Sequence, residues 1–334
     1  MPRAKVQIIS RGLWSPRSSP HNQSSRPFDV AHIEFYLAAG EMTLPTETPL
    51  SSTLTPPQPA RTWQGRATLT FCRRGDRTVP QIQTQAPLKV QRPFYPEGPN
   101  ICQSVLLHTA GGMVGGDCLS YDLCLAPQTH AVITTAAAAK IYSDHPQPAQ
   151  VSGKIRIDTA ACLEWVPQEV IVFEGAQYHQ TWQVELAEQA YWLGWDIVRL
   201  GRTARGEKFC RGAVRSRFEV WQNGQLVWVD PQQLIGSAAL WQSPSALNQT
   251  PVLATLVWIG KQPTRELVQT LRNTWDTLVN PSGEMGITRL QTGLLCRYRG
   301  HSTTAARRWF TRVWQHLRPL YASPLLAPPR VWPL

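Results

Sequence analysis

The chain has 334 residues, a net charge of +11 and 14 tryptophans, and only 16% of its residues are charged. That length is enough for one large domain or two small ones with a substantial core, and low charge with abundant tryptophan excludes a disordered chain. The basic balance favours acidic partners, whether nucleic acid, anionic lipid or an acidic protein. No apolar run reaches the ~18 residues needed to span a bilayer, and the first ~30 residues hold no apolar core of a secretory signal. Seven cysteines, an odd number without a Cys-x-x-Cys pair or zinc-finger spacing, read as reduced thiols in a cytoplasmic protein.

Residues 1–60 differ from the rest. Ser15 to Pro20 and Leu44 to Pro59 are rich in Ser, Thr and Pro, a composition that buries little. Phe28 to Ala39, between them, is more apolar and suits a short element. The stretch reads as a mobile extension, or as the product of a start codon placed too far upstream. Its four acidic residues, Asp29, Glu34, Glu41 and Glu47, argue against a transit peptide.

From Trp63 to about Gly260 the pattern is strand after strand. Arg66 to Phe71 alternates and is followed by a Gly75-Asp76 turn, a hairpin signal. Ser104 to Leu107 is an apolar run. Leu119, Tyr121, Leu123 and Leu125 alternate with Cys118, Ser120, Asp122 and Cys124. Ala131 to Thr135 reads as a buried strand, and Lys154 to Asp158 and Gln183 to Leu186 alternate. Phe218 to Trp221, Asn223-Gly224 and Gln225 to Trp228 form a two-strand hairpin with an Asn-Gly turn. Such spacing implies an all-β stack, sandwich or solenoid.

Two helices are expected near the end. Pro263 to Val279 places Leu267, Leu271, Trp275 and Leu278 on one stripe. Ser302 to Leu317 starts on a Ser/Thr cap and puts Phe310, Val313, Trp314 and Leu317 on one face. From Pro281 onward there are eight arginines and one acid, Glu284.

The chain is organised around Leu107-His108-Thr109-Ala110-Gly111-Gly112-Met113-Val114-Gly115-Gly116-Asp117. Four glycines in six residues require a tight turn or close approach of another segment, and they join the strands on either side. A Walker loop would end Gly-Lys-Ser/Thr, whereas Gly116 is followed by Asp117. A dinucleotide fingerprint would lead into a helix, whereas a strand pattern follows. Asp117 reads either as a turn residue bonding nearby amides or as a polar wall of a channel or interface.

Other polar candidates also carry two readings. Glu164 and Glu169 flank Trp165-Val166-Pro167-Gln168; on a straight strand they face opposite ways, unless Pro167 bends the chain. Carboxylates in an apolar segment suit either buried pairing with arginine or a polar conduit. His108 and His130 offer imidazoles suited to nickel, or serve as structural histidines. Cys118 and Cys124, about 20 Å apart on one strand, cannot share an ion. No spacing argues for a fixed metal site, and no Gly-x-Ser-x-Gly elbow, His-Glu-x-x-His or Cys/His nucleophile signature is present, so no catalytic residue is expected.

The segment from Leu107 to Asp144 resembles the signature region of the urease accessory protein UreD (UreH) family, with its Gly-Gly-φ-Val-Gly-Gly-Asp turn (φ apolar), following strand, and Thr-Thr segment ending Lys-φ-Tyr. Ala110 stands where that family usually has proline. The resemblance continues through Leu163 to Glu169, Phe173 to Ala176, Gly201 to Glu207, Leu294 to Tyr298 and Trp309 to Pro319. It covers roughly residues 63–332, within a domain taken as 61–334. It implies a mainly β, solenoid-like stack with about two C-terminal helices. It implies a non-enzymatic assembly factor that binds the urease apoprotein, recruits UreF and through it the GTPase UreG, and passes nickel through a tunnel. The conduit or interface candidates are Asp117, Glu164, Glu169, His108, Lys140 and Asp144, around the turn glycines Gly111, Gly112, Gly115 and Gly116. Transient Ni²⁺ but no tightly bound cofactor is implied, with no membrane or nucleic acid partner.

The alternative from the residues alone is a basic β-rich nucleic-acid-binding protein. Arg297-Tyr298-Arg299 interleaves charge and ring, but no RNP, KH or zinc-finger motif accompanies it. A carbohydrate-active β-helix enzyme would need a ladder of inward carboxylates, which the sequence lacks.

Overall fold

The computed structural model describes residues 62–276, 278, 283–323 and 328–332. The reading of residues 1–60 as an extension lies outside them. The described chain runs through β1 (Gln64–Arg74), β2 (Arg77–Gln85), β3 (Leu88–Val90), β4 (Ile101–His108), β5 (Cys118–Leu125), β6 (His130–Thr135), β7 (Ala139–Ile141), β8 (Ala149–Ile157), β9 (Cys162–Trp165), β10 (Val170–Val172), β11 (Gln177–Leu186), β12 (Tyr191–Leu200), β13 (Ala213–Gln222), β14 (Gln225–Ile235), α1 (Ala238–Gln242), β15 (Val252–Ile259), α2 (Arg265–Asn273), β16 (Glu284–Arg289), β17 (Gly293–Gly300) and α3 (Thr303–Leu317).

Two sheets stack face to face. The seven-stranded sheet has the order β14-β13-β11-β8-β5-β1-β2; the main path of the ten-stranded sheet is β16-β17-β15-β12-β9-β6-β4-β3. Between β4 and β13 the chain passes back and forth between the sheets, adding parallel strands to each, and the short β7 and β10 extend the ten-stranded sheet off its main path. This is a solenoid-like stack, and antiparallel partners finish it: β2 on β1, β3 on β4, β14 on β13, and β15, β17 and β16 beyond β12. The Asn223-Gly224 hairpin forms as expected, with both turn residues at positive φ.

Burial explains why each strand reads as it does. On β8 the outward Gln150, Ser152, Lys154 and Arg156 are exposed while Gly153, Ile155 and Ile157 face the second sheet. On β4 six consecutive residues are buried, because α3 and its neighbours cover the far side of the ten-stranded sheet. One core cluster lies between the sheets, and a second between the ten-stranded sheet and the two longer helices. Thr264 and Ser302 cap α2 and α3 through their side-chain oxygens. The α2 stripe is shorter than its pattern, ending at Asn273, where Thr274 Oγ1 bonds back to the Leu271 carbonyl.

Register creates rows across the seven-stranded sheet. One inward row runs Ala67, Tyr121, Gly153, Trp182, Phe218 and Asp230. Trp182 lies over Gly153 and stacks on Tyr121 and Phe218, with ring centroids 5.6 and 6.1 Å apart. A Cβ at Gly153 would sit 2.0 Å from the Trp182 ring. Gly153→Ala is therefore expected to cost about 1–3 kcal/mol of stability, read as a lower denaturation midpoint at unchanged slope.

Candidate functional site

The next inward row of the seven-stranded sheet carries Gln180 and Ser216 beside Gln232. Opposite them, across the ten-stranded sheet, Asp196, Thr255 and Arg297 stand in register on β12, β15 and β17. Two polar rows thus face each other inside an otherwise apolar stack. Gln180 Nε2 donates to Asp196 Oδ2 at 2.7 Å and lies 3.1 Å from Ser216 Oγ. Arg297 Nη2 pairs with Asp230 Oδ1 at 2.6 Å, Arg297 Nη1 donates to Thr255 Oγ1 at 2.6 Å, and Gln232 Nε2 donates to Asp230 Oδ2 at 2.8 Å. Burial pushes the Asp196 carboxyl up to about 6; the Gln180 bond opposes this, Asp230 adds to it, and the Arg297 charge opposes it again.

A cavity of about 340 Å³ leads to this cluster. Its rim carries the exposed Gly111, Ala137 and Lys140, its walls include His108, Tyr121 and Trp182, and its inner end reaches Gln180 and Asp196. A second space of about 10 Å³ continues from there, sharing Trp195, Asp196 and Phe218 and ending at Asp230, Gln232 and Thr255. That volume is about one water.

The glycine turn forms the rim. It carries the chain from β4 in one sheet to β5 in the other, so it joins strands of different sheets. Cβ atoms at Gly112 and Gly115 would lie 2.4 Å from the Tyr142 ring and 2.2 Å from the Gln147 carbonyl oxygen, so only glycine fits there. Asp117 is 1% exposed. Its Oδ1 accepts from the Trp63 amide at 2.7 Å and its Oδ2 from the Val114 amide at 2.9 Å, so both oxygens tie the turn to the chain entering β1. His108 lines the cavity with a buried Nε2 that has no hydrogen-bond partner, and burial holds its pKa below the ordinary histidine value against the pull of Asp117. Lys140 and Asp144 are exposed, and the Lys140 carbonyl holds the Met113 amide.

Glu164 and Glu169 lie elsewhere, on the α3 side of the ten-stranded sheet. A straight segment would turn them to opposite faces, and the bend considered at Pro167 is present. The strand breaks between β9 and β10 around Pro167, and both carboxylates reach toward α3. Glu169 binds Arg307 and Thr303. Glu164 is fully buried and accepts from Trp314 Nε1 at 2.8 Å and Tyr321 Oη at 2.7 Å, with His130 Nε2 and Arg318 Nη1 each 3.2 Å from Oε2. Burial alone would raise its carboxyl; the His130 and Arg318 charges and hydrogen bonds from His130 and Trp314 hold it below the ordinary value. His130, Cys162 and Glu164 come within 4.8 Å of one another, a proximity no sequence spacing suggested. The guanidinium against Glu164 Oε2 repels a metal ion, and burial pushes the Cys162 thiol well up, so the trio is a structural network.

A profile of the UreD urease accessory protein family matches residues 64–333. The urease accessory protein UreD of Acaryochloris marina is 50% identical over 273 residues, covering 81% of this chain and 96% of its own. Those of a Nostoc species and of a Synechocystis species are 51% and 42% identical, covering 81% and 80% of this chain and 96% and 99% of their own.

The chain belongs to the UreD urease accessory protein family.

Two separate stretches that carry the UreD likeness meet in space. Glu207 Oε2 accepts from the Arg202 amide at 2.7 Å and the Glu174 amide at 3.3 Å, and the Arg202 guanidinium lies 4.3 Å over the Phe173 ring. Half of the arginines at this end are committed internally: Arg297, Arg299, Arg307 and Arg318 pair with Asp230, Glu284, Glu169 and with Glu97 and Glu164, and Tyr298 is buried. The Arg297-Tyr298-Arg299 triplet therefore offers no nucleic-acid stacking platform. Among the described residues no helix is long and apolar enough to cross a membrane.

Sequence reasoning missed Gln180, Asp196, Asp230 and Arg297. The available signal was Asp196 as the one carboxylate in the apolar run Tyr191–Leu200, at the same parity as the inward Trp192 and Val198.

Two predictions follow from the opposite environments of these carboxylates. Replacing Arg318 by Met leaves Glu97 and Glu164 buried without their cation, and is expected to cost about 3–5 kcal/mol, measured by denaturant unfolding. Asp196 has its folded pKa raised from 3.8 to about 6, so the folded state binds the proton more tightly and stability falls as pH rises through that window. The contribution is on the order of 3 kcal/mol. Unfolding curves of Asp196→Asn across this range should lack that decline, leaving the variant more stable than the parent at neutral pH.

Proposed function

We propose that this protein is a non-enzymatic assembly factor of urease that hands nickel to the apoenzyme along the passage between its sheets. Family membership supports the role in urease maturation. The observation that favours a conduit is the cavity running from the glycine-turn rim to two carboxylates, Asp196 and Asp230, on opposite inner faces. On this reading the urease apoprotein and a UreF–UreG complex dock on the outside and nickel is cargo. The site suits passage better than storage. Its donors past the His108 rim are carboxylate, amide and hydroxyl oxygens, a harder set than nickel prefers, so an ion there is loosely held. No nucleophile with an activating base lines the cavity among the described residues, which fits a carrier.

Glu164 and Glu169 act in this scheme by fixing α3, and Asp117 by fixing the rim. Asp196→Asn tests the conduit because it keeps shape and removes charge. Produced with the urease subunits and the other accessory proteins, it is expected to leave complexes assembled while the urease recovered is nickel-poor and several-fold less active. Urease of normal nickel content and activity would overturn the conduit. In a strain lacking this gene, normal urease subunit levels with inactive, nickel-poor enzyme are expected; full activity there would overturn the maturation role itself.

A further inference from the structure

At the inner end of the passage, behind Asp230 and Thr255, stands a charge of the protein's own. Arg297 reaches in from β17, and its guanidinium spans Asp230 Oδ1 and Thr255 Oγ1, both at 2.6 Å. Asp230 is 9% exposed and Arg297 41% exposed, so the acid is buried while part of the arginine side chain reaches solvent. The space between Asp196 and this pair is about 10 Å³, too narrow for a hydrated divalent ion. A guanidinium keeps its proton at all relevant pH and offers no lone pair, so Arg297 cannot ligate a metal. It can only compete with one.

We propose that Arg297 is a tethered-cation gate, holding by its own charge the position at Asp230 and Thr255 that a divalent cation must take to leave the passage. The inference rests on the conduit reading. The proposed gate has two positions. In the closed one seen here, Asp230 is neutralised by Arg297 and its other oxygen by the Gln232 amide. In the open one the side chain swings to the solvent it already touches, and Asp230 Oδ1 and Thr255 Oγ1 are freed toward Asp196. Half-exposed ion pairs are weakly held, so an arriving dication, with twice the charge, can displace the guanidinium. A shut gate also keeps monovalent cations from resting on Asp230, which gives the passage a preference for higher charge.

The test is nickel binding by the full-length protein alone, measured by titration calorimetry with NiCl₂. Arg297→Met removes the charge and keeps an apolar stem of similar length. It is expected to bind Ni²⁺ at least about tenfold more tightly than the parent, the change for losing one nearby charge in a partly exposed site. The gain should vanish in the Arg297→Met/Asp230→Asn double variant, and Arg297→Lys should stay close to the parent. Nickel affinity unchanged in Arg297→Met, or a gain that survives Asp230→Asn, overturns the gate. If Arg297→Met fails to fold, Arg297→Gln replaces it, with the same two outcomes decisive. The result is separable from the conduit reading. An unchanged Arg297→Met alongside an activation defect in Asp196→Asn removes the gate and keeps the conduit. A tenfold gain alongside normal activation in Asp196→Asn keeps the competition at Asp230 and removes the conduit.

Discussion

The whole arrangement depends on the register of five parallel strands, β1, β5, β8, β11 and β13. In a parallel stack each residue lies beside its counterpart one coil away, so a row is read out across the sheet at constant depth. The row through Tyr121, Gly153, Trp182 and Phe218 stacks rings face to face and fills the space between the sheets. Gly153 is the gap in that row that lets Trp182 lie flat. The adjacent row changes from Leu119 and Val151 to Gln180, Ser216 and Gln232. Where this row turns from apolar to polar, a cavity lies beside the aromatic row, lined by Leu119, Val151 and Gln180. Sliding one strand by a residue would turn every inward group to solvent, so fold and cavity are fixed by the same alignment.

Buried charge is handled in two different ways on the two faces of the ten-stranded sheet. On the α3 side Glu164 has four partners, and Arg318 is shared between Glu164 and Glu97. The four bonds and ion pairs at Glu164 hold its partners in place, and the consequence is that α3 and the residues after it are pinned to the sheet. Between the sheets Asp196 is bonded by Gln180 on one oxygen and lies beside a second acid, Asp230, with a carboxyl raised to about 6. A buried acid whose carboxyl is raised by burial and by a second acid, beside a cavity, is the kind of environment in which functional groups are found. The α3-side cluster is the one that resembles a metal site by proximity; the acids between the sheets are the ones a cavity reaches.

Much of this was legible in the sequence. Alternation marked β1, β5, β8, β11 and the Asn223-Gly224 hairpin because one face of the seven-stranded sheet meets water. Caps and stripes marked α2 and α3. The glycine turn was visible because Gly112 and Gly115 face atoms that leave no room for a side chain. The functional rows were not legible, since they join residues far apart in the chain: Asp196 with Gln180, and Arg297 with Asp230. Only knowledge of the coil length would have aligned them. The charge count pointed toward nucleic acid for a related reason. Composition counts Arg297, Arg299, Arg307 and Arg318 as free charge, whereas the fold pairs each of them with an acid.

A carrier of a metal ion faces opposing demands: it must attract the ion and release it. A His/Cys cage meets the first and fails the second, because nickel binds soft and imidazole donors tightly. In the proposed conduit the amide and hydroxyl oxygens between the two carboxylates are poor ligands, and the carboxylates sit on facing sheets with Asp230 paired to Arg297, which leaves little charge to trap an ion. Their separation onto β12 and β14 means neither can wrap the ion alone. Tight binding would need the sheets to close on it, and the aromatic row through Trp182 prevents that closure. The rings that stabilise the fold thereby also limit how firmly the passage can hold what enters it.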